Sequence, residues 1–263
     1  MIKTIIAIGG GEMGRIKIHP DGRREQKPWE TELLDKKIVE ATGKDHPALV
    51  FIGAASNDNP GYFVAVQNVF EKRLGCRAIN LILTDLNQRP TVEQIRKIIM
   101  GADIVYVGGG NVTRLMTALK ETGTDKILKE AYDNGIVMSG NSAGGCVWFE
   151  SYDNDEDDDF DGTEKTFKTK QALGFVRGYF VLHWDKKIED GFEPDSASKN
   201  AVRKMLNKES KFGYAVEEGA AIMVQTDDGK QTITFIASKP DACVHRLNFD
   251  TQNTPIKNQN IER

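Results

Sequence analysis

The chain has 263 residues, 39% of them hydrophobic and 28% charged, with a mean hydropathy of -0.44, the composition of a globular protein long enough to bury a sizeable core. A net charge of -4 and the lack of a basic cluster argue against nucleic acid as the main partner, because phosphate binding needs grouped Lys and Arg. No apolar run approaches the roughly 18 residues of a membrane-spanning helix, and Met1-Ile2-Lys3-Thr4 runs straight into a strand without a signal-peptide pattern, so no membrane association and a cytoplasmic location are expected.

Over the first 150 residues, apolar runs of strand length alternate with amphipathic runs of helix length, the signature of βαβ units and a parallel sheet. Strands are expected at 2–8, 48–53, 78–83, 104–107 and 136–139, and helices at 30–41, 61–74, 92–100, 112–119 and 125–134. A further helix is expected over 143–150. From about Phe167 the pattern changes to short runs at 179–182, 213–216, 220–225, 232–236 and 242–246, read as antiparallel strands appended to the parallel sheet, with one helix over 196–207 between them. The expectation is a single α/β domain over 1–263, three-layered, with a mainly parallel sheet flanked by helices and additional antiparallel strands in its C-terminal part.

Gly140-Asn141-Ser142-Ala143-Gly144 follows the apolar run Ile136-Val137-Met138 and has the G-x-S-x-G spacing of a nucleophile elbow. A serine hydroxyl is a poor nucleophile unless it is exposed, held rigidly and given a base, and a strand-to-helix turn with small flanking residues meets the first two conditions. The amide of Ala143 falls where an oxyanion donor is needed, and Gly108-Gly109-Gly110-Asn111, at the end of another strand, brings a second bare backbone to the same sheet edge. Gly109 or Gly110 is the expected second donor. Asn111 is read as a substrate-binding residue, or as the N-cap of the helix that follows, and the two roles are compatible.

Of the four histidines, His183 ends the apolar run Tyr179-Phe180-Val181-Leu182 and is the best-placed base; His19 and His46 stand beside prolines and His245 lies inside a late strand. The group that orients the imidazole is either Glu218, next to Glu217 in a turn, or Asp155 or Asp157 in the acidic run 153–161. Scattered histidines and three scattered cysteines leave no metal-ligand spacing, and the acidic run lacks the spacing of a calcium loop. Gly9-Gly10-Gly11-Glu12-Met13-Gly14 fits G-x-G-x-x-G, but Pro20 and Gly22 follow where a dinucleotide site needs a helix, so no cofactor is expected.

Together the segments 140–144 and 108–111, the histidine at 183 and Glu-Glu-Gly-Ala-Ala-Ile at 217–222 resemble the serine peptidase family that contains dipeptidase E (aspartyl dipeptidase) and cyanophycinase, over roughly residues 2–224. The resemblance implies a fold similar to class I glutamine amidotransferases (flavodoxin-like), with serine in place of the elbow cysteine. It also implies Ser142 as nucleophile, His183 as general base, and Glu218 as third member with the aspartates after the elbow in reserve. Peptide-bond hydrolysis in a short peptide is the expected activity; the alternatives are an amidase or esterase on the same scaffold and a silent peptide-binding protein. Residues 184–191 carry two lysines but no arginine, and only arginine grips a carboxylate with two parallel hydrogen bonds, which argues against specificity for an N-terminal aspartate. The insertion 16–29 and the acidic run are candidates for a lid or for the contact of a homodimer.

Overall fold

In the computed structural model, residues 1–154, 168–184 and 212–247 are described. The helix expected over 196–207, the lysines of 185–191, Asp155 and Asp157 lie outside them.

Strand β1 (Lys3–Ile8) leaves its glycine-rich end without entering a helix. The chain instead turns out into an exposed hairpin of β2 (Ile16–Ile18) and β3 (Arg24–Gln26), whose base is closed by a bridge between Met13 and Trp29. The βα alternation then begins: α1 (Glu32–Glu40), β4 (Ala48–Ile52), a single 3-10 turn at Ala54–Ser56, α2 (Pro60–Val66) continuing as a π turn over Gln67–Glu71, and β5 (Arg77–Leu81). It continues through α3 (Val92–Met100), β6 (Ile104–Val107), α4 (Val112–Glu121), α5 (Thr124–Asp133), β7 (Val137–Asn141) and the short α6 (Ala143–Cys146). Local chemistry starts several of these helices. Thr91 and Gln94 form a reciprocal capping box on α3, Asn111 caps α4, and Asn59 with Pro60 at the first helical position starts α2.

Helix α6 stops four residues short of the expected 150, because Val147-Trp148-Phe149 is better strand than helix material and β8 (Phe149–Asn154) takes over. The remaining strands are β9 (Lys168–Gln171), β10 (Val176–Val181), β11 (Gly213–Val216), β12 (Ala220–Asp227), β13 (Lys230–Ala237) and β14 (Val244–Leu247). Among the described residues, only β12 and β13 of these extend the large sheet, whose order is β13-β12-β1-β7-β6-β4-β5; β1, β7, β6, β4 and β5 are parallel, and β12 and β13 are antiparallel additions. The other late strands form a separate sheet, β14-β11-β10-β8-β9, in which β10 runs parallel to both β8 and β11. Short strands close together in sequence had suggested antiparallel pairing there; long connections allow the parallel alternative.

Side chains alternate across β1, sending Ile5 and Ala7 to one face and Ile6 and Ile8 to the other. The first face packs on α3, α4 and α5 through Ile95, Leu115 and Leu128, and shares its core with Phe149, Val176, Phe180 and Tyr214 of the second sheet. The opposite face packs on Leu34 and Ile38 of α1 and Val66 of α2. Strand β7 is flanked by β1 and β6, so the loops after these three neighbours emerge side by side at the carboxyl edge, where open α/β sheets form their crevice.

Candidate active site

Ser142 follows the last residue of β7 and adopts φ 55, ψ -118, a conformation that costs a residue with a side chain of order 1–3 kcal/mol. The turn is that sharp because α6 packs directly on the backbone of β6. A Cβ on Gly144 would stand 2.0 Å from the Val107 carbonyl oxygen, so only glycine fits there. Below the turn, the Ser142 amide donates to the Ile8 carbonyl at 3.0 Å, tying the elbow to β1.

His183, two residues past β10, is also in the left-handed region with φ 50. Its amide donates to the Gly9 carbonyl at 3.1 Å, and its Nε2 lies 2.9 Å from Ser142 Oγ. Nδ1 lies 2.8 Å from Glu218 Oε1. An ionised carboxylate only accepts hydrogen bonds, which puts the ring proton on Nδ1 and leaves a lone pair on Nε2 for the serine proton. Glu218 reaches this place because β12 runs antiparallel to β1, which brings the turn before Ala220 beside the end of β1; the Gly219 amide donates to the Gly10 carbonyl at 3.0 Å. The first glycine-rich segment therefore serves as a floor for the imidazole. A Cβ on Gly10 would lie 2.5 Å from His183 Nδ1 and Cε1.

His245, inside a late strand, has a carboxylate partner of its own. Its Nε2 lies 2.7 Å from Glu217 Oε1, while Glu217 Oε2 accepts from the Cys243 amide at 2.8 Å. Adjacent glutamates in one turn thus each hold a histidine, one from β14 and one from the end of β10. Trp184, next to His183, has its ring centroid 6.2 Å from that of His245. The Glu-Glu doublet was the available signal, but without the β11–β14 pairing nothing linked it to position 245. The other two histidines lie elsewhere, His19 on Glu25 at 2.8 Å and His46 on the Gly75 carbonyl at 3.0 Å.

The loop after β6 spends its amides in order. Gly108 donates to the Ile52 carbonyl at 2.9 Å, Gly109 to the Tyr62 hydroxyl at 3.0 Å and Asn111 to the Ala55 carbonyl at 2.9 Å. Among the described residues the Gly110 amide has no acceptor, and neither does that of Ala143 at the start of α6. The loop is close to the elbow: a Cβ on Gly109 would stand 3.2 Å from Ser142 Cβ and 3.7 Å from its Oγ. Asn111 Oδ1 accepts from the Arg114 amide at 2.6 Å, which is the helix-capping role.

Among the described residues, no three His, Cys, Asp or Glu side chains are grouped to hold a metal ion, and no helix is long and apolar enough to cross a membrane. Two buried acids among the described residues stand outside the serine, histidine and glutamate array: Asp58, which accepts from the Leu83 and Thr84 amides, and Asp35. Asp35 of α1 is fully buried, accepts from Trp29 Nε1 at 2.8 Å and Thr31 Oγ1 at 2.7 Å through Oδ2, and leaves Oδ1 unpartnered. Burial pushes its carboxyl up to about 7 against those two hydrogen bonds.

A family model for Peptidase family S51 matches residues 21–232. The chain belongs to that family. It is accordingly a serine peptidase, and its mixed α/β architecture matches that of solved peptidase structures. This S51 chain is 30% identical over 234 residues to a Bacillus subtilis (strain 168) protein named uncharacterized peptidase YgaJ, covering 89% of this chain and 88% of that one. It is 28% identical over 140 residues to Peptidase E of Haemophilus influenzae, covering 53% of this chain and 62% of the relative. A crystal structure of a peptidase from an acI-B1 Actinobacterium superposes with a TM-score of 0.70 at 16% identity, covering 99% of this S51 chain and 96% of the other, a likeness of fold.

Proposed function

We propose that the protein hydrolyses a peptide bond in short peptides, with Ser142 as nucleophile, His183 as general base and Glu218 as the group that holds the imidazole. The observation that carries this reading is the continuous chain from Ser142 Oγ to His183 Nε2 at 2.9 Å and from His183 Nδ1 to Glu218 Oε1 at 2.8 Å, within the family. Ser142 attacks the scissile carbonyl while His183 takes its proton. The unengaged amides of Ala143 and Gly110 receive the oxyanion, while Gly109, whose amide is already committed to Tyr62, lends only its closeness to Ser142. The imidazolium then protonates the leaving amine, and a water deprotonated by His183 releases the acyl group from Ser142.

A short substrate suits a nucleophile that is only partly exposed between three loops, those after β1, β6 and β10. The likeness to a protein named Peptidase E supports peptide-bond cleavage as the chemistry. A panel of dipeptides and tripeptides with varied N-terminal residues, run against matched esters and side-chain amides, tests it. Peptide cleavage by the wild type, together with fluorophosphonate labelling that disappears in Ser142→Ala, is the expected result. Labelling that is equal in the two proteins, or turnover of esters alone, would sink the reading.

A further inference from the structure

We propose that Tyr62 is a positioning residue of the oxyanion site, its hydroxyl pinning the Gly109 amide so that the Gly110 amide is the one left for the substrate oxygen. The inference rests on Ser142 being the nucleophile. Four successive amides run from Gly108 to Asn111, and the first and last are fixed by main-chain carbonyls of one segment, Ile52 and Ala55. Between them lie two glycine peptides with no side chain to hold them. Tyr62, at 3.0 Å from the Gly109 nitrogen, is the one side-chain acceptor for that stretch among the described residues. Pinning the peptide plane that carries the Gly109 amide sets the start of the next plane, which carries the Gly110 amide. Released, two glycines in series sample many orientations, and an oxyanion donor contributes only when its direction is settled before the charge develops.

The phenol is held by the framework and not by the loop it supports. Its ring packs on Phe51 with centroids 5.2 Å apart and lies so close to the loop that a Cβ on Gly108 would be 3.0 Å from Tyr62 Cε1. The start of α2 is fixed in turn by the Asn59 side chain, which accepts from the Gly61 amide at 2.8 Å. Just before it, Asp58 Oδ2 accepts from the Leu83 and Thr84 amides and from the Thr84 hydroxyl at 2.6–2.9 Å. A phenylalanine would fill the same space against Phe51 and Gly108, so packing does not account for the hydroxyl. Burial raises the phenol above its ordinary pKa, and it stays a neutral acceptor through the working range of pH.

The test compares wild type with Tyr62→Phe on the best peptide of the panel, measuring kcat, KM and the Ki of a matching peptidyl boronate, whose tetrahedral adduct places an oxygen in the oxyanion site. The expected result is a fall in kcat of about tenfold or more with KM within about twofold, and a boronate Ki weakened by a similar factor. A product dipeptide, which forms no tetrahedral adduct, should inhibit both proteins alike. Unchanged kcat and boronate Ki would overturn the assignment, and so would a KM effect alone. If the phenylalanine variant does not melt cooperatively, 3-fluorotyrosine at position 62 keeps the ring and the hydroxyl but weakens the acceptor; a smaller fall in kcat in the same direction supports the assignment, and no fall overturns it. A wild type that cleaves peptides beside an unimpaired variant defeats only this inference. A wild type that neither cleaves nor labels defeats the serine mechanism and the inference with it.

Discussion

Ser142 and His183 are poised for proton transfer, but distance alone does not make a hydroxyl react. On the proposed mechanism the imidazole must hold its proton on Nδ1 and carry a positive charge for a moment, and Glu218 at 2.8 Å is placed to provide for both. Replacing it by glutamine keeps the size and removes the charge. Glu218→Gln is therefore expected to lower kcat by about 10³ to 10⁴, with the melting temperature nearly unchanged, as steady-state kinetics and a thermal scan would show. Gly10→Ala tests the same array from below. Its added methyl would stand 2.5 Å from the imidazole and tilt it away from Ser142, so activity should fall by about 100-fold or more while the large sheet still forms. An alanine variant with wild-type kcat would show that the ring has room to move.

At the scale of elements, the site is an intersection of four strand ends: β1, β6 and β7 of the large sheet and β10 of the small one. The turn from β11 to β12 bridges them. It is clamped on both sides, by Glu218 on His183 and by Glu217 on His245, and the second clamp is not hydrogen-bonded to Ser142. His245→Gln should loosen this turn and lower kcat by about three- to tenfold at constant KM; a change in KM alone would mean that His245 touches substrate instead.

The glycines that set the site were legible at the level of motif. Spacing placed Ser142 between glycines, and the strand runs around it lie within one to three residues of their expected positions. What spacing could not supply was which glycine does which task. Gly10 lies under an imidazole that arrives more than 170 residues later in the chain, and Gly109 donates to a phenol on α2, so neither role exists until the sheet is assembled. The helix after the elbow is shorter than the expected 143–150 for a related reason. Amphipathic spacing does not show where an apolar run is claimed by a second sheet, and Phe149 belongs to that sheet through Val176 of β10.

Across the whole molecule, one core joins the large sheet to the small one. Met138 behind the elbow and Phe180 behind the imidazole belong to it together. The described residues should accordingly unfold in a single cooperative transition, with circular dichroism and tryptophan fluorescence giving coincident curves. Asp35 imposes a pH dependence on that stability. With its carboxyl raised from 3.8 to about 7, the native state binds more protons than the unfolded chain between those values. Its contribution is fully present below pH 3.8 and is lost as pH rises through 7. Over about three pH units this amounts to about 4 kcal/mol, so the stability gap between wild type and Asp35→Asn should shift against the wild type by that order between urea titrations at about pH 4 and at about pH 8. A gap that does not move with pH would mean that the Asp35 carboxyl titrates alike in the folded and unfolded chain.

The left-handed backbone at Ser142 has a consequence for how such a protein can change over generations. At φ 55 and ψ -118 a glycine rests without strain, whereas alanine keeps the strain and loses the hydroxyl. Ser142→Gly should thus melt higher than Ser142→Ala, by about 1–2 kcal/mol in chemical denaturation. On the proposed mechanism the mutation that disarms the enzyme is also one that relaxes it, so stability pulls this position toward silence, and the nucleophile's task is what would hold a serine there.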